Sequence, residues 1–395
     1  MKSPRRILPI IVLAQFCCTS LWFAGNGVMA DLIATFQLDN SALGHLTSAV
    51  QFGFITGTLI FAILTISDRF SPSKVFLISA LLGALFNLGV IWEGNSLASI
   101  LGLRFLTGFF LAGIYPVGMK IAADHFEKGL GKSLGFLVGA LTLGTAFPHL
   151  AKDLVGSLPW SSVLLVTSSL AAFGALLMIL LVPNGPYRVA AQKLNLSAFT
   201  SVFKNANFRS AAFGYFGHMW ELYAFWAFVP VMLATYFADH RPERINMALL
   251  SFMIIGIGGI GCILGGYLSQ RLGVKRVAFV ALLLSCLCCL VSPWMFATES
   301  VPLFVGFLLF WGTFVIMDSP LFSTLVAHNA DPKVKGTALT IVNCIGFAIT
   351  IISIQLLTAL EGTINSMYLY TILGIGPVFG LMALKKGVKT KLEEK

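Results

Sequence analysis

Charge is what this sequence has least of. Asp and Glu number only 16 in 395 residues, and charged side chains of both signs make up 11%, against about 25% in a soluble domain. With a mean hydropathy of +0.89, too few charges remain to coat a water-soluble globule, and the hydrophobicity is far too high for a disordered chain. A disulfide scaffold is absent as well. The seven cysteines (Cys17, Cys18, Cys262, Cys286, Cys288, Cys289 and Cys344) all fall in apolar runs and read as small packing residues. No Walker lysine motif, dense basic tract or zinc-binding spacing occurs, so the net charge of +10 does not point to nucleic acid. The glycine-rich stretch 256–266 lies inside an apolar run with no strand before it, which excludes a phosphate cradle.

What is present is hydrophobic length. A bilayer core of about 30 Å takes roughly 20 apolar residues per helix. Twelve segments qualify, near residues 7–30, 43–66, 74–92, 97–122, 132–154, 160–182, 208–236, 247–269, 276–297, 301–325, 336–359 and 364–384. Strands of a membrane barrel would instead alternate in runs of about ten. The expected fold class is an all-α membrane protein. The first apolar run is longer than the core of a secretory signal and reads as an uncleaved first helix.

The basic residues set the orientation. With the N-terminus in the cytoplasm, 22 of the 26 Lys and Arg fall on the cytoplasmic side, and only Lys152, Arg241 and Arg244 outside; Arg104 lies within a helix. Trp92, Trp160 and Trp294 sit at the predicted outer boundaries. Both termini are therefore expected in the cytoplasm. The longest cytoplasmic connection, 183–207, divides the chain into a six-helix unit at 1–182 and another at 208–395 with a basic tail. That linker opens with Pro183-Asn184-Gly185-Pro186. It then spaces Leu194, Leu196, Phe199, Val202 and Phe203 as in a segment lying on the membrane surface.

The halves repeat. Ser67-Asp68-Arg69-Phe70-Ser71 follows the second helix, Ser269-Gln270-Arg271-Leu272-Gly273 follows the eighth, and Pro116 in the fourth is echoed by Pro320 in the tenth. Two parallel six-helix bundles around a midplane site are a known transporter plan. At these residues the chain resembles the major facilitator superfamily, whose loop motif runs approximately G-x-x-x-D-R-x-G-R-K. The first copy keeps Asp68-Arg69 but has Leu64 and Ser71 at the glycine positions; the second keeps Gly266, Arg271, Gly273 and Lys275 but has Gln270 for the acid. Arg104 to Gly108 matches the family's R-x-x-x-G motif. Gly135, Gly139 and Gly144 before Pro148 loosely resemble its antiporter motif without the Gly-Pro pair. The resemblance implies twelve transmembrane helices in two pseudo-symmetric bundles, a cytoplasmic gate at Asp68, Arg69 and Arg271, and a cavity lined by the first and seventh helices.

An ionic side chain deep in a span must be paired or wet. Three qualify, Arg104, Glu221 and Asp318, joined by His218 and His149. Glu221 lies near the middle of the seventh helix with His218 three residues before it, on the same side. The two read as a proton site or as a static pair between helices. Asp318, two residues before Pro320, is a second proton acceptor, a partner of Arg104, or a cap for backbone groups freed by the proline. Arg104 stays charged and must meet a substrate anion, a carboxylate or carbonyls. Trp22, Asn26, Trp220, Tyr223, Trp226 and Trp311, with His149, are candidate cavity residues.

The expected function is secondary active transport of a small solute by alternating access, in the form of proton-coupled symport of an anion. The alternative is proton-coupled efflux of a lipophilic compound. An enzyme would need more than His218 and Glu221, which lack a third metal ligand. The expected partners are a small-molecule substrate, protons and the bilayer, with no nucleic acid and no cofactor. The expected state is a monomer in a bacterial inner membrane.

Overall fold

A computed structural model describes residues 6–126, 130–188, 202–240, 245–331 and 334–386. Among these, eleven helices are long and apolar enough to cross a bilayer. A shorter apolar helix, Ile7–Thr19, is carried on by Ala24–Gly27 and Met29–Phe36 to make the first of twelve spans. The next five are Ala42–Ile63, Pro72–Gly89, Leu97–Leu111 with Tyr115–His125, Leu130–Val155 and Ser161–Leu181. The last six are Ala206–His240, Met247–Leu272, Val274–Phe296, Val301–Met317 with Ser319–Asn329, Lys335–Leu360, and Ser366–Leu369 with Ile375–Lys386. Twelve crossings return the chain to the membrane face where it began, here called the terminal face. Of the linker's apolar residues, Leu194, Leu196 and Phe199 lie outside the described residues, while Val202 is buried.

Spans one to six pack on one another, and so do spans seven to twelve. Two seams join the bundles, span five along span eight and span two along span eleven. Hydrocarbon supplies no hydrophobic drive between helices, so close approach at small residues does the work. Gly53 and Gly108 let spans two and four meet backbone to backbone: a Cβ on Gly53 would strike Phe105, and one on Gly108 would strike Val50. That contact is the physical reason for the glycine four residues after Arg104.

Spans one, four, ten and twelve, expected as single helices, are each broken, the last by a 3-10 segment at Tyr370–Gly374. Pro116 and Pro320 occupy the second position of Tyr115–His125 and Ser319–Asn329, where a residue without N–H starts a helix but cannot continue one. The break in span one has another cause. The hydroxyl of Thr19 donates to the carbonyls of Gln15 and Phe16, and that of Ser20 to Cys17. Such back-bonding bends a helix and frees the carbonyls just beyond it.

The two loop motifs differ for a backbone reason. Gly273 has φ +86° while ending span eight and starting span nine, a conformation that favours glycine. Ser71 caps span three at φ −61°, so the first copy has no need of one there.

Gly108→Val should therefore force spans two and four apart at about 1–3 kcal/mol, read as a lower melting temperature in detergent. Gly102→Ala, inside a helix with nothing within 4 Å, should leave it unchanged or raise it, since alanine is the better helix former. Equal melting temperatures for the two variants would contradict this packing.

Candidate functional site

Arg104 is 1% exposed. One guanidinium nitrogen, Nη1, donates to Asn87 Oδ1 at 3.0 Å; Nη2 donates to the freed carbonyls of Leu21 at 3.1 Å and Trp22 at 2.6 Å. Asn87 is itself fixed by donating to Ser168 Oγ at 2.9 Å and Thr167 Oγ1 at 3.3 Å on span six. Arg104 thus ties four spans of the first bundle together through neutral acceptors. Of the protein partners expected, carbonyls are met and carboxylates are not: Glu221 and Asp318 are bonded elsewhere in this conformation.

Glu221, also 1% exposed, accepts from Trp311 Nε1 at 2.6 Å, Ser285 Oγ at 2.9 Å and Cys289 Sγ at 3.3 Å. Its neighbour His218 turns away from it. Nδ1 of His218 lies 2.8 Å from Asp318 Oδ1, with Tyr215 and Phe322 rings 6.0 Å from the imidazole. Asp318 sits at the break in span ten without capping it by its side chain. Its Oδ2 and the Nε2 of His218 have no hydrogen-bond partner among the described residues. The second bundle therefore holds two enclosed acidic centres, Glu221 across spans seven, nine and ten, and His218–Asp318 across spans seven and ten.

Aromatic rings fill the space between the bundles. Trp22 of the first stacks on Phe347 of the second at 5.7 Å and faces Tyr223 at 5.8 Å; Phe54 meets Phe347 at 4.5 Å, and Tyr223 meets Trp226 at 5.2 Å. Tyr115 approaches Trp22 at 6.5 Å. Polar groups are few. Trp22 Nε1 donates to Gln51 Oε1 at 3.1 Å, and Asn26 Nδ2 to Thr47 Oγ1 at 2.8 Å. Gln51 Nε2, Trp226 Nε1 and His149 Nε2 are buried without a partner among the described residues.

Of the candidate cavity residues, the structure brings Trp22, Tyr223 and Trp226 together, with Asn26 on the same broken span as Trp22. Trp220 donates to Ile372 O at 3.1 Å in span twelve, and Trp311 serves Glu221, so both belong to the inside of the second bundle. Composition drew attention to charges and tryptophans and passed over Phe54, Tyr115, Phe347 and Gln51. These look like ordinary residues of apolar helices, and only the meeting of spans two, four and eleven distinguishes them.

A cavity of about 340 Å³ opens on the terminal face between Thr58, Asp68 and Pro116 of the first bundle and Thr337 and Thr340 of the second. Phe61 and Lys120 also line it. Thr58 is one turn from Phe54 and Pro116 follows Tyr115, so the aromatic cluster lies about one helical turn beyond the lining. Asp68 pairs with Lys120 at 2.8 Å within the first bundle, and Arg188 donates to the carbonyls of Asp68 and Phe70, both at 2.7 Å. Arg69 and Arg271 are exposed and make no ion pair among the described residues. At the opposite face the bundles are latched by Gln355 donating to Ser48 at 2.9 Å and by Asn246 donating to Asp153. This conformation is open at the terminal face and shut at the other.

The Major Facilitator Superfamily model matches residues 11–354. A bicyclomycin resistance protein homolog of Haemophilus influenzae is 21% identical over 83% of this chain and 82% of its own. An efflux pump of Fusarium oxysporum is 29% identical over 37% of this chain, and the chain spans a quarter of that relative's length. A crystal structure of a bacterial homolog of the human lysosomal transporter Spinster, inward-facing and unoccupied, superposes with a TM-score of 0.70 at 14% identity. It covers 96% of this chain and 95% of its own.

Arg104→Lys keeps the charge but not the planar fork, so it should lower the melting temperature in detergent. Each lost bond from a charged group is worth about 1.5–3 kcal/mol. An unchanged melting temperature would contradict the tie between span four and the break in span one.

Proposed function

The chain belongs to the major facilitator superfamily, and from that premise we propose that it exports lipophilic compounds in exchange for protons. The observation that carries this reading is the aromatic cluster where the two bundles meet, next to the cavity. Seven rings from both bundles (Trp22, Phe23, Phe54, Tyr115, Tyr223, Trp226 and Phe347) meet there, while Arg104 and Glu221 face inward to their own bundles. Apolar walls with a few hydrogen-bonding groups suit a mainly apolar ligand. An anion would need Arg104 to leave three satisfied acceptors, so symport of an anion has less support. The efflux and resistance names of the relatives agree with export.

Coupling would run through the second bundle. Glu221 as a carboxylate accepts from three donors. A proton on Oε1 faces the donors Trp311 and Cys289 and opposes them, whereas one on Oε2 reverses the bond to Ser285, whose hydroxyl then donates to Leu282 O. Either way the bonding across spans seven, nine and ten changes. His218–Asp318 at the break of span ten offers a second such site. Protonation and solute binding would then favour different states, which is what exchange requires. The positive-inside count puts the terminal face in the cytoplasm. The reading further includes rocking of units 1–182 and 208–395 about the linker 183–207, with opening and closing at Asp68, Arg69 and Arg271. It takes the protein to work as a monomer in a bacterial inner membrane.

Purified protein in liposomes loaded with a pH-sensitive dye tests the reading. A lipophilic fluorescent dye should evoke proton movement across the membrane. Glu221→Gln should reduce that movement by at least an order of magnitude while dye still binds, and Tyr223→Ala should weaken dye binding itself. Proton movement evoked by small anions and not by lipophilic dyes would overturn the export reading, and full coupling in Glu221→Gln would overturn the role of Glu221.

A further inference from the structure

A second cavity, of about 510 Å³, opens on the flank of the molecule where span one crosses the seam between spans five and eight. Leu8, Val12 and Phe16 form one wall, Phe136 and Leu143 the second, and Ile260 the third. Every residue around it is apolar, and Leu13, Leu143 and Ile260 are exposed at its rim. The groove faces hydrocarbon, not water. Left empty, its walls would lose their dispersion contacts.

Its length and its charges identify what fills it. From Leu8 to Phe16 a helix rises about 12 Å, close to the ~15 Å of hydrocarbon in one leaflet. Arginine stands at the terminal end of the groove on two of its three helices. Arg6 precedes Pro9 by three residues and Leu13 by seven, on the same stripe of span one. On span eight the stripe Ile260, Ile263, Tyr267 ends at Arg271, one turn beyond Tyr267. Both arginines are exposed, at the depth where lipid phosphates lie, and a guanidinium fork suits a phosphate.

We propose that this groove is a binding site for one acyl chain of an anionic phospholipid, with its phosphate held by Arg6 and Arg271. The site crosses the seam between bundles. At its back Gly139 and Gly259 approach so closely that a methyl on either would lie 3.1 Å from the other's carbonyl oxygen. A chain seated there touches both bundles and fits only while the seam keeps this shape, so the lipid favours the conformation open at the terminal face. The site is independent of the solute transported.

The test uses the full chain in nanodiscs with a phosphatidylglycerol carrying a photoreactive diazirine in its acyl chain, followed by peptide mapping. Adducts should concentrate on 8–16, 136–143 and 259–263, and unlabelled phosphatidylglycerol should compete several-fold better than phosphatidylcholine. Ile260→Trp, which fills the groove from its exposed rim, should abolish the adducts; Leu13→Trp does the same from the facing wall if the first variant fails to fold. Arg6→Gln with Arg271→Gln should equalise the two competitors. The site is refuted by adducts spread evenly over exposed Leu85, Leu180 and Phe379, or by adducts indifferent to the headgroup. Adducts that persist in both tryptophan variants, or that a lipophilic dye displaces and phosphatidylglycerol does not, also refute it. A headgroup preference that survives loss of both arginines overturns their assignment.

Discussion

No polar group in hydrocarbon can fall back on water, and the break in span one is built around that constraint. Thr19 and Ser20 bend the helix by bonding to its backbone, and the bend leaves the carbonyls of Leu21 and Trp22 open. Arg104 closes that deficit and is in turn positioned by Asn87. The same constraint governs the second bundle, where three donors enclose Glu221 and His218 faces Asp318. Each of these buried ionic groups finds its partners within its own six helices.

That confinement leaves the contact between bundles almost free of charge. Aromatic rings fill its middle, glycines line the seam of spans five and eight, and single polar bonds latch the closed face. Rings and small residues slide past one another without leaving an ion unpaired, whereas a buried ion pair across the interface would cost several kcal/mol to separate. A carboxyl that gains a proton changes only its own bundle's bonds, and the effect reaches the interface through the shared helices seven and ten.

Twelve spans, the repeat of the halves and the family were legible in the sequence because hydropathy, charge asymmetry and two loop motifs are local patterns. Arg104, Glu221 and Asp318 were found because a charge in an apolar run needs explanation wherever it points. Their partners were not legible. His218 lies three residues before Glu221 yet faces Asp318, 100 residues away, because the break at Asp318 sets that side chain toward span seven. Asn87, Ser285, Cys289 and Gln51 are small or neutral, and their roles emerge only when helices distant in sequence meet. Phe54 and Phe347 carry no signal against a chain with 34 phenylalanines. His125, near the terminal-face end of span four, is buried with Nδ1 2.9 Å from the carbonyl of Ile121, a burial that its place beside a loop does not announce.

The central claim is that each bundle keeps its own ionic ties and moves as a body against the other. Pulsed electron-spin distance measurements test it directly, with labels on exposed positions of the terminal face: Phe70 with Leu272 between bundles, and Phe70 with Leu181 within the first. Adding a lipophilic solute or changing pH should redistribute the Phe70–Leu272 distance and leave Phe70–Leu181 as it was. A shift within the first bundle, or a Phe70–Leu272 distance fixed under every condition, would contradict the account.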